Sequence, residues 1–367
     1  MPIQQWLPAK NRPLLISGPC SAESREQVIK TATTLEQTGL VSAFRAGVWK
    51  PRTSAQSFEG HGEQALLWLR EAKEKTSMPL AVEVAHPKHV ELCLEHKIDI
   101  LWIGARSVAN PFSIQEISEA LKGVDIPVMI KNPVNPDLNL WIGALERLSM
   151  AGINKLAAIH RGFNTWEINL YRNTPLWEIP VELKRLFPKI PLICDPSHIC
   201  GNRKMIEKVA QHALDLDMDG LMIESHINPN KALSDKKQQI TPHKLQNIIS
   251  NLQIKYPGNF EKKTAETITE LREQIDVLDK KLLEILAERM NVVKNIGYLK
   301  KNNKITILQI ERWDKIIRNR KEKGLKLGLD KDFLKKMLNL VHNESINVQK
   351  RIMNDVKKKN TLKNKNK

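Results

Sequence analysis

Through the first two thirds of the chain, short apolar runs alternate with longer amphipathic stretches. The runs are LLISGPC, VSAFRAG, PLAVEV, ILWIGA, PVMIKN, KLAAIHR, PLICDPSH and GLMIES. Each has strand length, is rich in β-branched residues and ends in turn-forming residues, while the stretches between them space their apolar positions as helices do. The pattern predicts eight β-α units in roughly 260 residues, which suits a closed parallel α/β (β/α)8 TIM barrel. In such a barrel the residues at the C-terminal ends of the strands share one mouth.

What stands at those ends gives the barrel its chemistry. Cys20 in GPCSAES, His198 in DPSH, Glu224 in MIES and Asp235 in ALSD follow apolar runs, so a thiol, an imidazole and two carboxylates are expected to meet as a metal-ligand set. A ring of cations accompanies them: Arg45, Lys50 and Arg52 after the second run, Arg106 after the fourth, Lys131 at the fifth and Arg161 after the sixth. One such residue reads as a solvated loop charge. Six placed alike predict a pocket for anionic groups, because guanidinium forks match carboxylate and phosphate oxygens. Glu83 in AVEV is read either as a partner for a pocket cation or as a structural ion pair. Cys93, Cys194 and Cys200 are read as buried core thiols, since Cys194, His198 and Cys200 lack the second Cys-x-x-Cys pair of a structural zinc site.

Composition shifts near residue 255. All four cysteines precede it, and beyond Tyr256-Pro257-Gly258 there is no proline. From Glu261 to Lys367 there are 28 Lys and Arg against 15 Asp and Glu, which is 13 of the chain's 17 net positive charges. The shift predicts a barrel over 1–255, a linker over 256–263, a helical domain over 264–356 and a basic disordered tail over 357–367. The helical domain opens with a long amphipathic stripe of Leu271, Ile275, Leu278, Leu282, Ile285 or Leu286, and Val293. Arg289 follows Leu278 by eleven residues and Lys300 follows Arg289 by eleven, so each lies within roughly 20° of the one before it around the helix. A charge facing along an apolar column is costly unless it meets an anion. Arg272 lies about 100° away from Arg289 and is expected to face a different site on a paired helix. Ser345 and Gln349 share a later helix face.

GPCSAES, KPRTS, IGARS, IHRG, DPSH and the MIES…ALSD pair closely resemble 3-deoxy-D-arabino-heptulosonate 7-phosphate (DAHP) synthase, in its shorter subclass that is also similar to 3-deoxy-octulosonate 8-phosphate synthase. The resemblance covers 10–245 and implies condensation of phosphoenolpyruvate with erythrose 4-phosphate, the first step of the shikimate pathway, at a divalent metal. It implies Cys20, His198, Glu224 and Asp235 as metal ligands for manganese, iron, cobalt or zinc. It places phosphoenolpyruvate on Arg45, Lys50, Arg106, Lys131 and Arg161, and erythrose 4-phosphate toward Arg52 and Thr53. Lys50 lies near both substrate clusters in sequence and is the expected proton donor. KPRTS, where the octulosonate enzymes carry an Asn-Arg-Ser-Ser type element, implies the four-carbon sugar.

Residues 264–354, from ELREQIDVLDKKLLEILAERMNVVKNIGYLK to HNESINVQ, resemble the all-helical chorismate mutases, intertwined dimers whose pockets draw on both chains. The resemblance implies rearrangement of chorismate to prephenate, with Arg272 of one chain facing Arg289, Lys300, Arg312, Ser345 and Gln349 of the other. Departing from that family, Gln309 and Trp313 stand where acidic residues flank the arginine matched to Arg312. The alternative is a prephenate-binding regulatory module with weak catalysis. The partners implied are small anionic substrates and a second copy, as a homodimer through the helical domain, with a tetramer open if barrels also pair.

The sequence pI near 9.6 invites nucleic acid as a partner. The tail VKKKNTLKNKNK has no aromatic residue for base stacking, which argues against it. No stretch resembles a signal peptide or a membrane span, so no membrane partner is expected, and a ligand cysteine suits the reducing cytoplasm. The first strand begins near residue 14, leaving no room for an N-terminal regulatory domain.

Overall fold

The computed structural model describes residues 5–7, 13–50, 58–166, 170–255, 262–308 and 310–354, and leaves the side chains of 262, 263 and 310–317 undescribed. The chain divides into two compact units, 1–257 and 258–367.

The first unit is a closed barrel of eight parallel strands in sequential order. They are β1 (Leu14–Gly18), β2 (Ala43–Ala46), β3 (Leu80–Val84), β4 (Ile100–Ile103), β5 (Val128–Lys131), β6 (Leu156–His160), β7 (Leu192–Cys194) and β8 (Gly220–Glu224). Each lies inside one of the eight apolar runs, and β8 closes the barrel on β1 through pairs such as Ile16 with Met222. A longer helix follows every strand, from Arg25–Gln37 after β1 to Pro242–Asn251 after β8. Short helices Ala105–Val108 and Pro196–Cys200 sit directly after β4 and β7.

Side chains alternate across a strand, and here the alternation splits the core in two. Leu14, Ile16, Ala43, Ala81, Ile100, Trp102, Met129, Ala157, Ile159, Ile193 and Met222 fill the barrel, with Leu7 packed among them. Their strand neighbours, among them Leu15, Phe44, Val82, Leu101, Ile130, Leu192 and Ile223, pack outward against the helices. Two residues further along six of the inward rows, the apolar filling gives way to polar groups. Ala43 leads to Arg45, Ala81 to Glu83, Met129 to Lys131, Ile159 to Arg161, Ile193 to Asp195 and Met222 to Glu224. The site is the next layer of the core, written in charged residues.

The second unit holds the helices Lys262–Asn302, Ile310–Lys326 and Lys331–Asn354. The 41-residue first helix is about 60 Å long at 1.5 Å per residue. Val293 packs with Val348 and Ile352 of the last helix, Met290 beside them. Earlier in the long helix, Leu271, Ile275, Leu278, Leu282 and Ile285 are each more than half exposed. Among the described residues no helix is long and apolar enough to cross a membrane.

Candidate active site at the barrel mouth

One cavity of about 350 Å³ at the ends of the strands is lined by Lys50, Glu83, Arg106, Lys131, Arg161, Arg172, His198 and Asp235. Two glycines make the convergence possible. A Cβ on Gly47 would lie 2.5 Å from Lys50 Nζ and 2.7 Å from the Cys20 carbonyl, so the turn after β2 must be bare for Lys50 to reach toward Cys20. A Cβ on Gly18 would strike the Arg45 carbonyl.

The four donors expected to hold a metal come together in two pairs. Cys20 Sγ lies 3.4 Å from Asp235 Oδ2, and His198 Nε2 lies 3.8 Å from Glu224 Oε1. Among the described residues no three His, Cys, Asp or Glu side chains gather around one point as a ready-made cluster. Asp235 is turned to Arg172 instead, with Oδ1 accepting from Nη1 at 3.0 Å. The donor set nonetheless suits a divalent cation. Glu224 Oε1 is buried without a hydrogen bond, which is costly for a carboxylate oxygen unless a cation meets it. His198 Nδ1 lies 2.7 Å from Asp195 Oδ2, which leaves Nε2 as the nitrogen for a metal.

Charge is arranged to match. Burial, helped by the Glu224 carboxylate and opposed by Lys50, pushes the Cys20 thiol up to about 12. Burial also works against ionised Asp235, but Arg172, His198 and Lys50 outweigh it and hold the carboxyl well below the usual range. Glu224 is lowered in the same way, His198 and Arg45 overcoming burial. A thiol beside two ionised carboxylates is a soft and hard donor mixture that accepts several transition ions.

The cations form the walls. Arg45, 1% exposed, donates from Nη2 to the Cys20 carbonyl at 3.3 Å, approaches Glu224 Oε1 at 3.6 Å and lies over the Trp102 ring at 4.7 Å. Lys131 donates to Asp195 Oδ2 at 2.9 Å. Arg161 donates to Asn173 Oδ1 at 2.8 Å, and burial brings its guanidinium down to about 10 against the pull of Asp195. Arg106 rides on the short helix after β4. Glu83 lines this cavity, while Cys93, Cys194 and Cys200 are free thiols buried in the outer apolar layer. Arg52 and Thr53 lie outside the described residues.

Asp195 is the site residue that sequence reasoning passed over. It is fully buried, caps the short helix by accepting from the His198 amide at 3.1 Å, and is held well below the usual carboxylate range by His198 and Lys131 against burial. The step of two from Ile193 marks it in the sequence. Arg172, Asn173, Gln238 and Gln239 were also missed; they sit in loops, where no period points to them.

In the helical unit, three of the expected residues meet. Arg289 Nη1 donates to Ser345 Oγ at 2.7 Å, and Gln349 Nε2 donates to the Ser345 carbonyl at 3.2 Å. Gln349 Oε1 is buried without a hydrogen bond. Lys300, on the same face of the long helix, donates to the Ile307 carbonyl at 2.5 Å. Arg272 is exposed, well up the helix from this cluster. The side chains of Arg312 and Trp313, and all of Gln309, lie outside the described residues.

A parallel barrel with this mouth defines a class of sites for anionic ligands beside a mixed soft and hard donor set, and comparison with known proteins narrows it. Residues 7–255 match the DAHP synthetase I family, and residues 271–350 match chorismate mutase type II. Phospho-2-dehydro-3-deoxyheptonate aldolase of Thermotoga maritima is 32% identical over 226 residues, covering 62% of this chain and 64% of its own length. The chain therefore spans just under two thirds of that relative. A 2-dehydro-3-deoxyphosphooctonate aldolase of Vesicomyosocius okutanii subsp. Calyptogena okutanii is 27% identical over 266 residues, 65% of this chain and 89% of that one. The crystal structure of the Thermotoga maritima DAHP synthase superposes with a TM-score of 0.59 at 31% identity, over 65% of this chain and 67% of that chain.

The chain belongs to the DAHP synthetase I family and carries a C-terminal domain of the chorismate mutase type II family.

Proposed function

We propose that the barrel condenses phosphoenolpyruvate with erythrose 4-phosphate to give DAHP and phosphate, and that the helical domain converts chorismate to prephenate. The convergence of Cys20, His198, Glu224 and Asp235 with five cationic side chains at one mouth carries the first activity. Arg45, Arg106, Lys131 and Arg161 would hold the carboxylate and phosphate of phosphoenolpyruvate, and Lys50 would give a proton to the sugar oxygen as the new carbon–carbon bond forms. Water then adds at the former enol-ether carbon, phosphate leaves, and the buried cations stabilise the charge that moves. A divalent ion held by Cys20, His198, Glu224 and Asp235 would supply Lewis acidity toward the aldehyde oxygen; manganese, iron, cobalt and zinc all suit this donor set.

The Arg289–Ser345–Gln349 cluster supports the second activity. A pericyclic rearrangement needs no nucleophile, only a reactive conformer and cations where charge develops. Arg289, with Arg272 from a second copy, would take the two carboxylates; Lys300 and Gln349 would face the ether oxygen, with Arg312 beside them. Because both matched families are enzyme families, this reading keeps two activities rather than a synthase with a regulatory binding module. It also implies a homodimer through the helical domain and a cytoplasmic location.

The test is a pair of assays on the full-length protein, with and without chelator. Phosphate release from phosphoenolpyruvate should require an aldose phosphate, stop on chelation and return with a divalent metal, while chorismate loss continues throughout. Full condensation after exhaustive chelation would overturn the metal reading. With arabinose 5-phosphate, kcat/KM should fall well below the value for erythrose 4-phosphate; equal values would reassign the sugar.

A further inference from the structure

The loop after β8 holds two adjacent glutamines that belong to none of the motifs and yet touch the donor set directly. Gln238 is 1% exposed and Gln239 fully buried, positions where an amide is costly unless its groups are paired. Gln238 Nε2 donates to Glu224 Oε2 at 2.7 Å, and Gln238 Oε1 accepts from Arg172 Nη1 at 2.8 Å. That arrangement fixes which way the amide lies, because a carboxylate requires the NH2 and a guanidinium requires the oxygen. The same Arg172 nitrogen reaches Asp235 Oδ1 at 3.0 Å. Gln239 Oε1 accepts from the Cys20 amide at 2.9 Å, and its Nε2 donates to the Ser234 carbonyl at 2.7 Å.

The consequence is a division of labour between oxygens. Glu224 has Oε2 tied to Gln238 and Oε1 facing His198, with Arg45 Nη1 3.6 Å away; Asp235 has Oδ1 tied to Arg172 and Oδ2 left facing Cys20. Asp235 also has φ of 44°, a left-handed conformation that a non-glycine residue keeps only when its surroundings hold it. The Gln238 backbone N–H donating to the Asp235 carbonyl at 3.1 Å and the Arg172 pair are what hold it.

We propose that Arg172, Gln238 and Gln239 are positioning residues that present three of the four metal ligands, Glu224, Asp235 and Cys20, each in one fixed orientation. The inference rests on the metal reading above. Partners of this kind set metal affinity, and their loss typically weakens binding by about 10- to 100-fold.

Co(II) is the probe, titrated into the full-length protein after metal is stripped, with the thiolate-to-Co(II) charge-transfer absorption as the readout. Wild type should give the band and Cys20→Ala should lose it. Gln238→Leu, close in size but without the amide, should give the same band at saturation with Kd weakened about 10-fold or more. Arg172→Gln should weaken binding similarly, and Arg172→Lys should recover most of the loss. Because Arg172 is half exposed, its variants carry the test if Gln238→Leu fails to fold. Co(II) affinities of Gln238→Leu and Arg172→Gln within about twofold of wild type, far below the usual effect of losing such a partner, would overturn the proposal while leaving the metal reading intact. A wild-type chain without the band overturns both.

Discussion

The barrel and the helical unit both bring cationic side chains together, by opposite routes. A closed sheet brings residues from Cys20 to Asp235 to one mouth because every strand ends there. A straight helix cannot do this. Along about 60 Å of helix, Arg289 meets the last helix of its own chain and Lys300 the loop that follows the long helix, while Arg272 and the apolar stripe from Leu271 to Ile285 remain exposed. Within one chain the described barrel residues meet at one mouth, while the helical unit leaves Arg272 and an apolar face exposed. A closed topology can supply convergence by itself, whereas an open one leaves it to association.

The largest effect expected from this contrast is a clean separation of activities. Cys20→Ala should lower condensation by roughly a thousandfold or more, the scale of losing a metal-assisted step, and leave chorismate conversion within about twofold. Parallel phosphate-release and chorismate-loss assays decide it. Equal losses in both would mean that the two units do not work separately.

The reverse experiment should have a somewhat smaller effect. Arg289→Ala removes the guanidinium that donates to Ser345 at 2.7 Å and should slow chorismate conversion by about 10²- to 10³-fold, the usual cost of removing one preorganised charge-stabilising donor. Condensation at saturating substrate should be unchanged. A mutase rate that survives would move the chorismate site away from this cluster.

How much could be read beforehand follows the same contrast. Eight apolar runs at regular spacing left little alternative to a parallel barrel, and the strands lie inside those runs because buried parallel strands need continuous apolar sequence. Within the mouth, the step of two that carries Met222 to Glu224 also carries Ile193 to Asp195. Asp195 was therefore legible and was passed over for its neighbour His198. Gln238 and Gln239 were not legible, since a loop has no period to say which side chain turns inward. The helical stripe was readable as apolar, but one chain's periodicity does not say whether its cover is another helix of the same chain or a second copy. For Val293 it is the former, through Val348 and Ile352.

Acid should separate the units next. His160 is fully buried beside Phe163 and Trp177, and burial, with Arg161 adding to it, lowers its pKa from 6.5 to about 3. The folded barrel therefore keeps it neutral, while the unfolded chain takes up a proton below about 6.5. Stability is lost as pH falls from about 6.5 toward 3, by about 2 kcal/mol at pH 5. Asp195, lowered, adds a loss in the same direction only below the unfolded carboxylate value, about 4. Seven of the eight tryptophans, all but Trp313, lie in the barrel unit, so fluorescence-detected denaturation reports on it. His160→Phe should remove about 2 kcal/mol of the difference between pH 7 and pH 5. The helical unit has a single histidine, His342, and its unfolding should change less over that range. An unchanged pH slope in the variant would mean that His160 does not carry the effect.

The smallest expected effect bears most directly on the uncovered helix. If Arg272 of one chain completes the pocket that holds Arg289 of another, then Arg272→Ala and Arg289→Ala homodimers are each inactive as mutases, while a mixed dimer has one pocket with both changes and one with neither. Random re-pairing of equal amounts makes half the dimers mixed, each with half its pockets intact. The mixture should recover about a quarter of the wild-type mutase rate, given a two-fold interface that exchanges chains. The exposure of Leu271, Ile275, Leu278, Leu282 and Ile285 along the helix that bears Arg272 favours this outcome, since a stripe of that length is covered most simply by its own copy. Recovery should appear only after conditions that allow exchange, and condensation should stay constant throughout because the barrel mouth draws its residues from one chain. If exchange is shown by tagged subunits and no activity returns, each pocket is built within a single chain, and the contrast between a complete barrel and a shared helical site fails.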